Sequence, residues 1–201
     1  YTSASRVRLT DDELLSAQIA QVGIGVIPNT QLAQTLGLEV DNGIVVDRHA
    51  VASDGTTIVV GDVANLPNPL PGADPTERIR RESVNNAIEH AKVAAYSVVG
   101  KREDYAGIPW FWSNQGDLKL QIAGLSLGYD TTVVRCDEEQ GKFSVLYYRD
   151  GRIIAADCIN HPLDFMAVRN ALAKGQEIPA AEAADATVPL KSLIRNLEPV
   201  S

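Results

Sequence analysis

The chain has 201 residues and a formal net charge of −8. That length suits one large domain or two small ones, and the acidic balance argues against a nucleic-acid binder, which usually carries a basic excess. Apolar content of 45% and charged content of 22% are ordinary for a globular protein, no apolar run reaches the ~18 residues of a membrane span, and the start, "YTSASRVRLTDDELL", lacks the pattern of a signal peptide. A cytoplasmic protein with no membrane contact is therefore expected. Because the chain opens on Tyr1 rather than Met, a trimmed piece of a longer protein is also expected.

Residues 1–27 lead into the apolar stretch "IAQVGIGVI", which continues as "GIGVIP". This looks like the opening of the dinucleotide fingerprint G-x-G-x-x-G, with Asp47 at the distance of a ribose-binding carboxylate. Pro28 stands where the third glycine is needed for close helix–strand packing, so Gly23 and Gly25 are read as turn residues instead. "PNTQLAQTLGL" predicts a short helix, capped by Asn29 or Thr30 and closed by Gly37. "DNG" at 41–43 marks a turn into the strand-like "IVVD". "TTIVV" at 56–60 predicts a second strand, buried on both faces because it scarcely alternates.

That run ends in Gly61-Asp62, at the carboxyl end of a strand, where open α/β sheets bind ligands. Glycine lets a ligand approach the backbone, and the Asp62 carboxylate can accept from a ligand hydroxyl; alternatively it caps the next turn. Four prolines make "ANLPNPLPGADPTE" a loop. A helix is predicted over 83–99, with Val84, Ala87, Ile88, Ala91, Ala95 and Val98 as its buried stripe and Gly100 as its stop. Its N-terminus near Ser83 and Val84 offers free N–H groups to an electron-rich ligand.

After about residue 105 the pattern changes. Trp110 and Trp112, the two tryptophans of the chain, flank Phe111 in a loop beside Pro109, placed either to plug a domain junction or to cover something flat. "DLKLQIAG" alternates as a half-buried strand, "TTVVRCD", "KFSVLYYRD" and "RIIAADCIN" predict three more, and "RDGR" is a tight hairpin turn. A helix over 163–174 and short helical pieces follow, which gives an α+β half with an antiparallel sheet. Cys136 and Cys158 lie in strand-like runs and are read as small buried hydrophobes in a reducing compartment. They and the isolated histidines His49, His90 and His161 fit no metal spacing, so no metal is expected.

In this order, "VGIGVIPN", "GLEVDNGIVVD", "GDVA", "RRESVNNAIEHA" and "PWFWSNQGDLKLQIAGL" resemble the FAD-containing, NADH-dependent ferredoxin reductases of bacterial oxygenase systems. The resemblance covers nearly the whole chain and is most specific from Glu82 to Leu125. It implies an α/β segment of an FAD-binding domain followed by an α+β C-terminal interface domain: residues 1–28 as the end of the NADH-binding domain and crossover, 29–104 as the returning part of the FAD domain, and 105–201 as the interface domain. It implies that Gly61 and Asp62 meet the ribityl chain of FAD, that Val84 after Ser83 presents its N–H to the flavin pyrimidine edge with Glu82 close by, and that Trp112 lies beside the isoalloxazine. Trp110 is read as domain packing on the same face as Trp112. The implied partner is a [2Fe-2S] ferredoxin, docked by a basic patch of Arg78, Arg80 and Arg81, or else these arginines are a solvated loop paired with Glu77 and Glu82.

The chain departs from the family in lacking both glycine-rich pyrophosphate loops, so the resemblance is to the C-terminal half of a reductase only. It implies a missing N-terminal half, without which FAD is not held tightly, and a choice between NADH and NADPH made elsewhere. A non-catalytic dimerisation or docking module with the same fold is the alternative. A disulfide-type reductase is disfavoured because the two cysteines are not a C-x-x-C pair.

Overall fold

A computed structural model describes residues 5–70, 74 and 76–197. Two short strands, β1 (Arg6–Arg8) and β2 (Leu14–Ser16), pair as an antiparallel hairpin. The apolar stretch after them has no regular structure and is exposed, Ile24 and Ile27 by about nine-tenths. No helix starts at the glycines, as the misfit of the fingerprint predicts. Helix α1 (Gln31–Thr35) begins at Thr30, which caps by position but makes no side-chain bond, and ends before Gly37. Strand β3 (Ile44–Val45) runs parallel to β4 (Ala64–Pro67), which pairs antiparallel with β5 (Arg78–Arg80).

Two expectations fail here. "TTIVV" is not a strand: it keeps one isolated bridge, Val51 to Ile58, with Val59 buried and Val60 partly exposed. A strand exists only as a ladder, and the Asp54 carboxylate folds this segment onto itself by accepting from the backbone N–H and hydroxyl groups of Thr56 and Thr57. Conversely, the proline-rich "loop" contains β4, because Pro67 falls at its last position, where the missing N–H costs least.

Helix α2 (Val84–Val98) starts where predicted, with the Ser83 hydroxyl accepting from the Asn86 N–H at 3.1 Å. Its orientation is the reverse of the one predicted. The buried residues are Asn85, Asn86, His90 and Val93, whereas Val84, Ile88 and Val98 are more than half exposed and Ala87, Ala91 and Ala95 are exposed too. The inward face is polar, and Asn86 on it is hydrogen-bonded through its side chain. Around this helix lies the first core, which includes Val46, Ala64, Leu66, Val93 and Tyr105.

The second half is built on a five-stranded antiparallel sheet of β6 (Trp110–Gln115), β7 (Leu118–Gly124), β8 (Thr131–Asp137), β9 (Lys142–Arg149) and β10 (Arg152–Ile159), in the order β6-β7-β10-β9-β8. The tryptophan segment is therefore an edge strand rather than a loop. Asp150 and Gly151, both with positive φ, make the expected turn between β9 and β10. Helix α3 (Pro162–Ala173) packs on the sheet, burying Phe165, Val168 and Ala171 against Leu146, Ala156 and Cys158 in a second core. A Cβ on Gly124 would stand 2.0 Å from the Ile154 carbonyl oxygen, so only glycine lets β7 approach β10 there. Two short strands, β11 (Gln176–Glu177) and β12 (Arg195–Asn196), pair around helices α4 (Ala180–Ala183) and α5 (Leu190–Leu193).

The two cysteines part company. Cys158 is fully buried, and burial pushes its thiol up to about 12. Cys136 is exposed, against expectation. Alternation along β8 explains this: Arg135 points inward, so Cys136 points out. Among the described residues no helix is long and apolar enough to cross a membrane, and no cluster of His, Cys, Asp and Glu could hold a metal ion.

Candidate functional site

The predicted ligand-end residues converge on the start of α2. A single 3-10 turn, Gly61–Val63, packs against the helix, and a Cβ on Gly61 would lie 3.9 Å from the Ala87 Cβ. Gly61 has φ 74°, a conformation that glycine adopts without strain. The turn is capped at Val60 without a side-chain bond, so Asp62 is not a cap. Its carboxylate is exposed and makes no hydrogen bond among the described residues, while its carbonyl accepts from Arg80 at 3.0 Å.

The first N–H groups of a helix have no intrahelical partner. Ser83 satisfies that of Asn86, which leaves those of Val84, exposed, and Asn85, buried, without a side-chain cap among the described residues. Here a cleft of about 440 Å³ opens between β5, the helix start and the tryptophan strand, lined by Arg81, Ser83, Trp110, Phe111, Ile122 and Leu125 among others. Glu82 is on its rim, ion-paired with Arg80. Apolar walls meeting a few fixed donors suit a flat heteroaromatic group with electron-rich edges.

Trp112 does not line this cleft. Phe111, beside Ile122, and Trp110 both line it, and alternation along β6 puts Trp112 on the same strand face as Trp110. The two indoles stack at 5.2 Å between centroids, and Trp110 also meets the Phe165 ring at 6.2 Å and the Arg169 guanidinium at 4.9 Å. The shared face and the packing of Trp110 are as predicted; Phe111, overlooked in the sequence, lines the cleft together with Trp110. Trp112 remains 39% exposed.

The three arginines do not form an exposed basic patch. Arg78 donates to the carbonyls of Val46 and Asn65, Arg80 is tied to Asp62 and Glu82, and Arg81 is buried. They lie on and just after β5, so their side chains are spent on neighbouring carbonyls, the Glu82 carboxylate and the Tyr105 hydroxyl rather than on solvent.

The feature that sequence reading missed is a buried polar network below the cleft. Arg81 donates to the Tyr105 hydroxyl at 2.7 Å and to the Gly107 carbonyl at 3.0 Å. Tyr105 donates to the Asn86 side-chain oxygen at 2.9 Å, and the Asn86 amide returns to the Arg81 carbonyl at 2.8 Å. His90 stands edge-on to the Tyr105 ring at 5.1 Å. Burial first, then the Arg81 charge, pushes the His90 ring down to about 4. Burial also lowers the Arg81 guanidinium, opposed by Tyr105, and raises the Tyr105 phenol. The legible signal was the i, i+4 pair Asn86 and His90, polar groups on one helix face.

Two family models match. Residues 2–97 match pyridine nucleotide-disulphide oxidoreductase, and residues 110–194 match reductase C-terminal. Rhodocoxin reductase of Rhodococcus erythropolis is 39% identical over 95% of this chain and 44% of its own length. Putidaredoxin reductase of Pseudomonas putida is 38% identical over 92% of this chain and 43% of its own. The fold is similar to that of a crystallised ferredoxin reductase from Rhodopseudomonas palustris (TM-score 0.84, 36% identity, 94% of this chain and 46% of that one). It is similar also to the reductase in a covalent putidaredoxin reductase–putidaredoxin complex (TM-score 0.83, 37% identity, 94% of this chain and 44% of that one). The chain thus spans less than half the length of the relatives it matches. It belongs to the reductase family that joins a pyridine nucleotide-disulphide oxidoreductase segment to a reductase C-terminal domain.

Proposed function

We propose that this chain is the C-terminal part of an NADH-dependent, FAD-containing reductase that passes electrons to a [2Fe-2S] ferredoxin, and that a preceding N-terminal half completes its flavin site. The observation that carries the reading is the aromatic-lined cleft that runs to the Ser83 cap of α2, with the 3-10 turn of Gly61 and Asp62 packed against the same helix. When bound, FAD supplies hydride acceptance from NADH and release of single electrons. The chain's residues hold and orient it. Asp62 accepts from ribityl hydroxyls, which the 3-10 turn at Gly61 lets come close. The Val84 N–H and the helix dipole favour negative charge at the flavin's pyrimidine edge. Phe111 and Trp110 wall the ring off from water, and Trp112 backs Trp110.

The outward apolar stripe of α2 supports a completing half: Val84, Ile88 and Val98 alone are each 60%, 53% and 72% exposed. Residues 29–104 and 105–201 are proposed as the returning FAD unit and the interface unit, in keeping with two separate cores. Unpaired Cys136 and Cys158 fit a reducing cytoplasm.

The test uses the protein extended to the length of its relatives. Purified wild type should carry FAD and reduce a [2Fe-2S] ferredoxin with NADH. Asp62→Ala, which deletes a charge-assisted hydrogen bond worth ~1.5–3 kcal/mol, should release flavin roughly ten- to a hundredfold more readily. Wild-type protein with no flavin affinity would refute the reading.

A further inference from the structure

Arg81 is a cation placed under the cleft with no carboxylate paired to it among the described residues. It is 6% exposed, and its partners are a phenol and a carbonyl. The neighbouring carboxylates are taken, Glu82 by Arg80 and Glu89 by Lys92. Its Nη2 atom is buried without a partner among the described residues. A charge in this state is costly, and a neutral side chain of similar size would fill the space more cheaply. Arg135, the other buried arginine, shows the alternative, since it is matched to Asp164 at 2.8 Å. The unmatched charge lies one residue from Glu82 and two from the Ser83 cap, and it lines the same cleft. The ring of bonds through Tyr105 and Asn86 holds it there, tying the first turn of α2 to the segment that leads into β6.

We propose that Arg81 is a positioning residue whose buried, unneutralised guanidinium makes the cleft floor electropositive and so favours the reduced, negatively charged form of the group bound at the α2 N-terminus. It does so without touching that group. The inference rests on the flavin reading above.

The experiment compares Arg81→Met, Arg81→Gln and Arg81→Lys in the extended holoprotein, reading flavin content and the flavin midpoint potential. Loss of charge in the Met and Gln variants should move the two-electron equilibrium about tenfold towards oxidised flavin, a fall of ~30 mV. Lys, which keeps the charge, should move it less than threefold. Equal shifts in all three, or none in Met and Gln, would overturn the proposal. Absence of flavin from the wild type would instead strike the functional reading. Should neither neutral variant fold, the pH dependence of the wild-type flavin midpoint potential decides: near neutral pH, a slope nearer ~30 mV per pH unit, as for a reduced flavin that keeps its negative charge, upholds the proposal, and one nearer ~60 mV overturns it.

Discussion

Arg135 shows what a buried charge looks like when it serves the fold. Its guanidinium donates to Asp164 and to the carbonyls of Asp185 and Val188 at 2.8 Å each, and also to that of Ala183, so one side chain pins the 183–188 segment to the sheet. Asp164→Ala leaves that cation buried without its counter-charge and should cost about 3–5 kcal/mol in urea unfolding. His90 makes the opposite case, a ring kept neutral by burial. Its folded value of about 4 lies below the ordinary 6.5. Above 6.5 both states hold the ring neutral; as pH falls, the unfolded chain takes up a proton that the fold refuses until about 4. Stability should therefore drop across that window, by up to about 3 kcal/mol, and His90→Asn should flatten the urea midpoint against pH. At the thiols, native protein should react with one equivalent of a thiol reagent at Cys136, and Cys158 should react only after denaturation. Sequence could place both cysteines in strands, but the face that Cys136 took depended on Arg135 turning inward.

At the scale of the element, α2 is the most instructive. Its start and its stop were legible because helical periodicity and a glycine stop are local in sequence. Which face it buried was not, because the apolar stripe is the usual guide and here the polar face turns inward, with Asn86 bonded to Arg81 and Tyr105 and the His90 ring edge-on to Tyr105. The exposed stripe yields a discriminating substitution. Ile88→Lys should change the stability of the 201-residue chain by under ~0.5 kcal/mol, as at most surface positions. In the extended protein it should cost about 2 kcal/mol, as burying an unpaired charge does. Equal small effects in both would mean that nothing covers the helix. Strand β6 carries a related lesson. Trp110 and Trp112 sharing a face followed from period-two alternation, yet the eye goes to the tryptophans and passes over Phe111, the residue between them that faces the cleft.

For the whole molecule, the half from 105 onward was read nearly strand for strand, since an antiparallel sheet declares itself through alternation and tight turns between neighbours in sequence. The first half was harder. "TTIVV" has the composition of a buried strand, but no strand lies beside it among the described residues, and its backbone closes on Ala50 and Ala52 instead. The proposed N-terminal half would account for that mismatch and for the bare face of α2. The most direct test of the account adds FAD and the N-terminal half to this chain and follows the visible flavin spectrum with amide hydrogen exchange at 83–86 and 108–112. The account predicts that bound flavin and slowed exchange at both segments appear together, and only when both additions are made. Flavin bound by the N-terminal half with no protection at the start of α2 would contradict it.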